Sequence, residues 1–466
     1  MKNKFKIAFL VLALGASTFA LADNTALQYF HNKVLAQKLP EGEQAIKDKD
    51  YQKAFDIYKP LAEQGDMISQ YQLGYLYQAG LGVVKDDQMA VAWYMKASQQ
   101  GLPEAQYALG ILYYHGVTVA RALSQAFDLF NHAAQSNYAL AQYMLGVMYA
   151  NGYGVTRDLD AAGAWYDKAA AQGVVEAQYN LGLMYYLGDG RPQDLGKAFN
   201  WFLLAAQRGS AKAQFMMGLM YDTGKRISVD KKQAFYWYSL AAKQELPLAE
   251  YNLGVLYYNG EGTPHNLNLA VASVTKAAEQ GLARAQYFLG YLAYNGIGTN
   301  KDIQQAVNWY TKSAEQGFSE AEFAIGFLYH NGQGIEKDDQ RAFTWYLAAA
   351  KQGLAKAQYM TGLFYQKGMG VPSDPKLAAF WYDKAAVQGM DNAQLLLGVM
   401  YTQGLGVTRD DKMAYAWLNL ASTSSNAQIR DNATKMRDEL AKSMTPENIA
   451  AAKQLSENYY SLYARQ

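Results

Sequence analysis

Residues 173–208 read GVVEAQYNLGLMYYLGDGRPQDLGKAFNWFLLAAQR, and variants of this stretch fill most of the 466-residue chain. One glycine of the stretch, the repeat glycine, returns every 36 residues without insertion or deletion, at Gly74, Gly110, Gly146, Gly182, Gly218, Gly254, Gly290, Gly326, Gly362 and Gly398. All eight tryptophans share a second register, at Trp93, Trp165, Trp201, Trp237, Trp309, Trp345, Trp381 and Trp417. A constant period marks a repeat architecture. One repeated unit therefore organises the chain, rather than the three or so domains that its length alone would predict.

Each unit reads as two helices joined by a turn. Apolar residues around Gly182 recur at helical spacing, and Gly188 and Gly190 then end this first helix. Asp194 stands where a helix N-cap is favoured. Small and aromatic residues around Trp201 return at steps of three and four, which predicts a second helix of about the same length.

A glycine inside a helix is about 1 kcal/mol less favourable than alanine. Because the repeat glycine occurs in ten helices, we expect a stabilising contact in each repeat that offsets this loss. We expect this contact to be a close approach between the two helices of a pair. In the repeat of Gly182, the small residues Ala198 and Ala205 of the second helix would face the glycine. We expect the tryptophans to be buried, each removing about 150–250 Å² from water. One helix pair cannot cover both of its apolar sides alone, so the pairs must stack.

The pattern A-x-Y-x-L-G-x-x-Y-x-x-G-x-G-V, followed by D and then by A-x-x-W-Y-x-x-A-A-x-x-G, resembles the Sel-1-like repeat, a relative of the tetratricopeptide repeat. The resemblance implies an all-α fold, a right-handed α/α superhelical solenoid of about ten 36-residue helix–turn–helix repeats with helical caps. We expect a signal peptide at 1–22, a cap and degenerate leading repeat at 23–64, ten repeats over 65–424 and a C-terminal helical cap at 425–466.

A few units depart from this pattern. Thr118 and Arg226 replace turn glycines, and Glu245 replaces the glycine that ends the second helix. Ser273 and Val274 replace the Trp-Tyr pair. The second repeat and the region 245–274 are expected to be locally softer or differently bent.

The first residues have the features of an export signal. Lys2, Lys4 and Lys6 precede the uncharged apolar stretch 7–20, and an A-x-A cleavage site ends at Ala22. Cleavage there would remove three of 42 basic residues and none of 41 acidic ones, which leaves 39 against 41 and a formal charge of −2. The sequence thus predicts a periplasmic or secreted protein with no direct membrane insertion after cleavage.

Composition excludes several functional classes. The chain has no Cys, which excludes disulfides, iron–sulfur clusters, thiolate zinc sites and cysteine nucleophiles. Its formal charge of +1 gives no general attraction to nucleic acid. The five histidines lack metal-ligand spacing, and the G-x-G turns recur once per repeat as turn chemistry rather than as phosphate loops. We therefore predict no catalytic residue, no metal site and no cofactor.

The first helix of each pair lines the concave surface in tetratricopeptide solenoids, so the candidate partner site lies there by analogy. An aromatic residue three positions before the repeat glycine is part of the family pattern and is assigned to the core. The position four residues after this glycine varies, and we take variation as a sign of exposure, with asparagines often following it. Exposed Tyr and Asn suit peptide binding. The predicted partner-binding residues are Tyr114, Asn151, Tyr186, Tyr258, Asn259, Tyr294, Asn295, His330 and Asn331. The alternative for these residues is a solvated face with helix-ending asparagines.

The functional prediction is an exported, non-catalytic adaptor that binds a protein or peptide, such as an envelope or host protein, in its concave groove. Two alternatives stay open: an envelope hydrolase with a β-lactamase-like activity, and an inhibitor or regulator of a cell-wall enzyme. Some secreted members of the family with paired cysteines are linked to β-lactam binding or hydrolysis. This chain has no cysteine, so it lacks the feature that those members share.

Overall fold

The computed structural model describes residues 40–463, and within this range the chain is all helix, without a strand. The expected signal peptide at 1–22 lies outside the described residues. The helices in the described range are α1 (Pro40–Lys47), α2 (Tyr51–Glu63), α3 (Met67–Ala79), α4 (Asp87–Gln99), α5 (Pro103–His115), α6 (Leu123–Gln135), α7 (Ala139–Asn151), α8 (Leu159–Ala171), α9 (Val175–Leu187), α10 (Leu195–Gln207), α11 (Ala211–Thr223), α12 (Lys231–Ala242), α13 (Pro247–Asn259), α14 (Leu267–Glu279), α15 (Ala283–Asn295), α16 (Ile303–Glu315), α17 (Ser319–Asn331), α18 (Asp339–Lys351), α19 (Ala355–Lys367), α20 (Pro375–Ala386), α21 (Asp391–Gln403), α22 (Asp411–Ala421), α23 (Ala427–Ala441) and α24 (Pro446–Tyr463).

The helices alternate between two roles, which confirms the predicted all-α fold of helix pairs. Odd-numbered helices up to α21 are the first, or A, helices of a pair, and even-numbered helices up to α22 are the second, or B, helices. After α9, Gly188 takes a left-handed conformation with φ +80° and ends the helix. The Asp194 carboxylate then accepts hydrogen bonds from the backbone N–H groups of Gly196 and Lys197, at 3.0 Å each, and starts α10.

The described residues divide into two compact units, one that ends at Gln244 and one that begins at Glu245. Helices α1 to α12 belong to the first unit and α13 to α24 to the second. Within each unit an A helix packs both against its own B helix and against the B helix of the preceding repeat. This double packing covers the apolar sides that a single pair leaves open.

The repeat glycines confirm the expected close approach between A and B helices. In all ten repeats a Cβ atom added to this glycine would lie 3.0 Å or less from a side chain of the B helix. At Gly182 the nearest atoms belong to the ring of Phe202, at 2.7 Å, rather than to Ala198 or Ala205. The predicted facing surface was therefore wrong in its residues, because a flat ring, and not a small side chain, fills the space that glycine leaves.

A second ring lies beside eight of these ten contacts. At Gly254 and Gly398 the B-helix residue is aliphatic instead, Val274 and Leu418. The aromatic residue three positions before the repeat glycine pairs with the same B-helix residue, for example Tyr179 with Phe202, whose ring centroids are 5.9 Å apart. Phe215 and Tyr238 make the equivalent pair at 5.6 Å. These distances are typical of favourable aromatic pairs. The predicted core role of this position is confirmed most clearly at Phe215, which is fully buried.

The tryptophans are less buried than predicted. Only Trp93, Trp237 and Trp417 are buried, and the other five tryptophans are half-buried. The following residue on the B helix, such as Phe202, takes the core position instead. A lysine covers the exposed ring face in several repeats, and Lys168 Nζ lies 3.9 Å from the ring centroid of Trp165.

The sequence departures are visible as backbone strain. Thr118, Arg226 and Glu245 keep the positive φ of the glycines they replace, at 67°, 73° and 59°. A β-branched residue such as Thr118 is seldom found in this conformation. Ala122, which replaces an N-cap aspartate, makes no side-chain cap hydrogen bond to α6.

The last two helices close the end of the second unit. Helix α23 begins after the N-cap Asn426, and α24 begins at Pro446. The ring of Tyr459 on α24 stacks on Trp417 of α22 with centroids 4.2 Å apart. Trp417 is fully buried by this contact.

The contact between the repeat glycine and the B-helix ring predicts the outcome of adding one methyl group. Gly182→Ala should lower the free energy of unfolding by about 1–3 kcal/mol, because the Phe202 ring must shift and this loss exceeds the helical preference for alanine. The control is Gly196→Ala in the same repeat, where the nearest atom lies 3.3 Å from the new Cβ. Denaturant unfolding checks both variants, and equal effects of the two would contradict the packing described here.

Candidate interaction face

Each A helix buries the side that carries the repeat glycine and turns another side to solvent. In the second unit the outward positions lie two residues before and one residue after the repeat glycine. We call these residues the open A face: Asn252, Val255, Phe288, Tyr291, Ala324, Phe327, Met360, Leu363, Leu396 and Val399. All ten are at least partly exposed, and nine of them are apolar or aromatic.

Side chains at the same positions are more deeply buried in the first unit. Gln72 and Met216 are fully buried there, and Met144 and Val147 are nearly so. The second unit therefore presents the more accessible apolar surface of the two.

Aromatic side chains form the centre of the open A face. Tyr291 is 37% exposed and Phe327 is 39% exposed, which is unusual for residues of this size. Phe288 stacks on Tyr291 with ring planes 10° apart and centroids at 6.2 Å. Tyr258 meets the edge of Phe288 at 5.3 Å. Burial and the neighbouring Tyr291 raise the pKa of Tyr258, so its hydroxyl stays neutral at physiological pH.

Polar residues border the open A face at the C-terminal ends of the A helices. Asn259, Asn295 and Asn331 are exposed at equivalent positions. The side-chain amide of Asn295 donates to the backbone carbonyl of Tyr291 at 2.8 Å, and Asn331 does the same to Phe327. These bonds use the NH₂ groups and leave the amide oxygens available as acceptors. In the first unit Asn151 is also exposed and donates to Val147.

The prediction of exposure is wrong for two of the candidate tyrosines. Tyr114 is only 7% exposed and Tyr186 only 3%. Tyr186 packs on Phe202, with centroids 6.2 Å apart, and its hydroxyl accepts a hydrogen bond from Lys225 Nζ at 3.0 Å. These side chains are part of the A–B packing.

The other candidates at this position are half-buried and have partners. The Tyr294 hydroxyl donates to the Gln333 side-chain oxygen at 2.7 Å. His330 Nδ1 lies 2.6 Å from an Asp339 carboxylate oxygen. Tyr258 belongs to the aromatic centre described above. The structure therefore brings Tyr258 to the open A face and leaves Tyr294 and His330 beside it.

In several repeats the residue at this position contacts the B-helix residue 16 positions later. Where the B helix carries a tyrosine, a polar acceptor can stand opposite, as in the 2.7 Å hydrogen bonds from Tyr94 to Gln78 and from Tyr382 to Gln366. Where the B helix carries Phe202, the A helix supplies Tyr186. In these repeats a variable residue is therefore engaged with the B helix, so variation at this position does not indicate exposure.

Sequence reasoning missed Phe288, Tyr291 and Phe327. The available signal was the composition of the A helices, which are apolar around their whole circumference. Helix α17 reads SEAEFAIGFLYHN, with apolar residues beyond the side that the repeat glycine occupies. Such a helix is either fully buried or part of an interface.

Within residues 40–463 the chain offers neither a metal-binding cluster nor a membrane-spanning helix. No group of three or more His, Asp or Glu side chains in this range could hold a metal ion. None of the helices there is long and apolar enough to cross a membrane.

Comparison with known proteins gives a consistent family match. The family model described as Sel1 repeat matches residues 41–66, 68–102, 103–138, 139–174, 175–210, 211–246, 247–282, 283–318, 319–354, 355–390 and 391–426. Among curated proteins, none matches the chain.

Solved structures include two similar proteins. A protective antigen from uropathogenic Escherichia coli strains, which displays an SLR fold, is 34% identical with a TM-score of 0.78, and the match covers 95% of this chain and 96% of that one. A Sel1 repeat protein from Oxalobacter formigenes is 33% identical with a TM-score of 0.53, over 66% of this chain and 90% of that one.

The burial of Tyr186 predicts that two equivalent tyrosines respond differently to truncation. Tyr186→Ala should lower the free energy of unfolding by about 3 kcal/mol or more, because it opens a cavity in the core. Tyr258→Ala, at a half-buried position, should cost less than half of that. Thermal and denaturant unfolding of both variants measure the difference, and equal stability losses would show that the two positions are alike.

Proposed function

Because the chain belongs to the Sel1 repeat family, we propose that it is a non-catalytic scaffold that binds a peptide segment of a partner protein on the open A face of its second unit. The observation that carries this proposal is the exposure of Tyr291 and Phe327 at equivalent positions of two successive A helices. Exposed apolar surfaces rimmed by polar residues mark interaction sites in soluble proteins.

The chemistry of the open A face favours a peptide ligand. Exposed aromatic rings supply a large contact area at a low cost in side-chain entropy, and they dominate many binding interfaces. The amide oxygens of Asn295 and Asn331 can accept hydrogen bonds from the backbone N–H groups of an extended segment. An extended peptide with apolar side chains would satisfy both features. Of the residues predicted from sequence, this proposal retains Tyr258, Asn259, Tyr294, Asn295, His330 and Asn331.

The proposal places the protein outside the cytoplasm. The pattern of lysines and apolar residues in 1–22 supports export. The similarity to a protective antigen agrees with it, because the immune system must reach such a protein. We propose an envelope or host protein as the partner. An inhibitor of a cell-wall enzyme would use the same face and would differ only in its partner, whereas no specific observation favours a hydrolase.

The test uses peptides selected for binding to the whole protein from a random display library. The double variant Tyr291→Ala, Phe327→Ala should weaken the selected peptides at least tenfold in calorimetric titrations, because it removes the exposed rings. Its melting temperature should fall only modestly and the protein should stay folded, since more than a third of each side chain is already exposed.

The matched control is Phe380→Ala, which removes a ring that is 50% exposed on the B helix α20 of the same unit. This variant should bind the selected peptides with unchanged affinity. Equal binding by the double variant, equal loss in the control, or failure to select any binding peptide would each contradict the proposed site.

A further inference from the structure

A buried glutamine joins consecutive repeats. It stands four residues before the repeat glycine on the A helix, and its side-chain NH₂ donates to the backbone carbonyl eight residues earlier, on the preceding B helix. The distances are 3.1–3.4 Å in seven repeats. The glutamines are Gln70, Gln142, Gln178, Gln214, Gln286, Gln358 and Gln394.

A second glutamine, after the end of the B helix of the same repeat, donates to the side-chain oxygen of the first. Gln316 donates to Gln286 at 2.7 Å, and four other repeats have the same bond at 2.7–2.8 Å. We call this chain of two amides and one carbonyl the amide relay. Where Ser136 or Arg208 replaces the second glutamine, the side-chain oxygen of Gln106 or Gln178 is buried without a hydrogen-bond partner among the described residues. The relay is therefore a specific arrangement whose members depend on one another.

Glu322 replaces the first glutamine of the relay on α17. Its side chain is buried, at 5% exposure, and one carboxylate oxygen accepts from the Gln352 amide at 2.8 Å. A deprotonated carboxylate has no hydrogen to donate to the carbonyl of Ala314, eight residues earlier. Within residues 40–463 no side chain donates to that carbonyl, and no Lys, Arg or His forms an ion pair with Glu322. The amide relay is therefore interrupted between α16 and α17.

We propose that Glu322 makes the contact between two consecutive repeats depend on pH, through a hydrogen bond that forms only when its carboxyl group is protonated. Protonation places one hydrogen on the carboxyl group, and the O–H then donates to the Ala314 carbonyl, as glutamine NH₂ groups do in seven other repeats. The other carboxyl oxygen keeps the hydrogen bond from Gln352. Acidification thus completes the relay and tightens α17 against α16.

The electrostatic surroundings agree with this assignment. Burial raises the pKa of Glu322, and the hydrogen bond from Gln352 only partly opposes this effect. The group that faces the carboxyl from the end of α18 is the neutral Gln352 amide. A raised pKa in the folded state gives stability that is fully present below the unfolded pKa of about 4.3 and is lost as the pH rises through the folded pKa.

The experiment compares melting temperatures from pH 4.5 to 7.5 for the full chain and three variants. Glu322→Gln should raise the melting temperature by roughly 2–4 °C at pH 7.5, because it completes the relay without a proton. The difference should shrink steadily as the pH falls towards 4.5. Gln286→Glu creates the same interruption one repeat earlier, so it should lower the melting temperature at pH 7.5 and recover in acid.

Glu315→Gln is the matched control, since Glu315 is exposed on α16 and its substitution removes the same charge. It should change the melting temperature by less than about 1 °C at every pH, as is usual for surface substitutions. A shift by Glu322→Gln that stays constant across the pH range, or one that Glu315→Gln reproduces, would overturn the proposal. Absence of any pH-dependent recovery in Gln286→Glu would overturn it as well.

Discussion

The contact between a helical glycine and a side chain of the next helix, an aromatic ring in eight of the ten repeats, is the constraint on which the rest of the structure depends. Glycine is unfavourable within a helix, yet all ten repeat glycines lie against a B-helix side chain so closely that a methyl group would not fit. At Gly182 this side chain is the Phe202 ring, and a second ring, Tyr179, packs beside it. This contact sets how closely the two helices can approach each other, and a close contact of this kind recurs in all ten repeats.

This constraint also decides which surface is left for function. Because the glycine side of each A helix is committed to the B helix, the opposite side faces solvent. In the second unit that side carries Phe288, Tyr291 and Phe327, whereas the equivalent positions Met144 and Met216 of the first unit are buried. One repeated framework thus supports two different surfaces through the residues that its packing does not fix. The amide relay between consecutive repeats also tolerates substitution. Glu322 replaces a glutamine of the relay, and helix α17 has the same length as every other A helix from α3 to α21.

Much of the fold could be predicted from the sequence, because its signals are local. The period of 36 residues, the left-handed glycine at Gly188 and the N-cap Asp194 mark the helix ends independently of tertiary context. The site was harder to predict, because exposure is not a local property. Tyr186 occupies a variable position yet lies in the core, where it packs on Phe202 of the neighbouring helix. Trp201 was expected in the core for its size, but rotation of the B helix places Phe202 there instead.

The most direct test of the central contact is a double-mutant cycle at Gly362 and Tyr382, where an added Cβ would lie 2.7 Å from the ring. The free energies of unfolding of Gly362→Ala, Tyr382→Ala and the double variant give the coupling between the two positions. The account predicts that alanine at 362 destabilises the protein while Tyr382 is present and is neutral or stabilising once the ring is removed, with a coupling of about 1–3 kcal/mol. Additive effects, with no coupling, would contradict it.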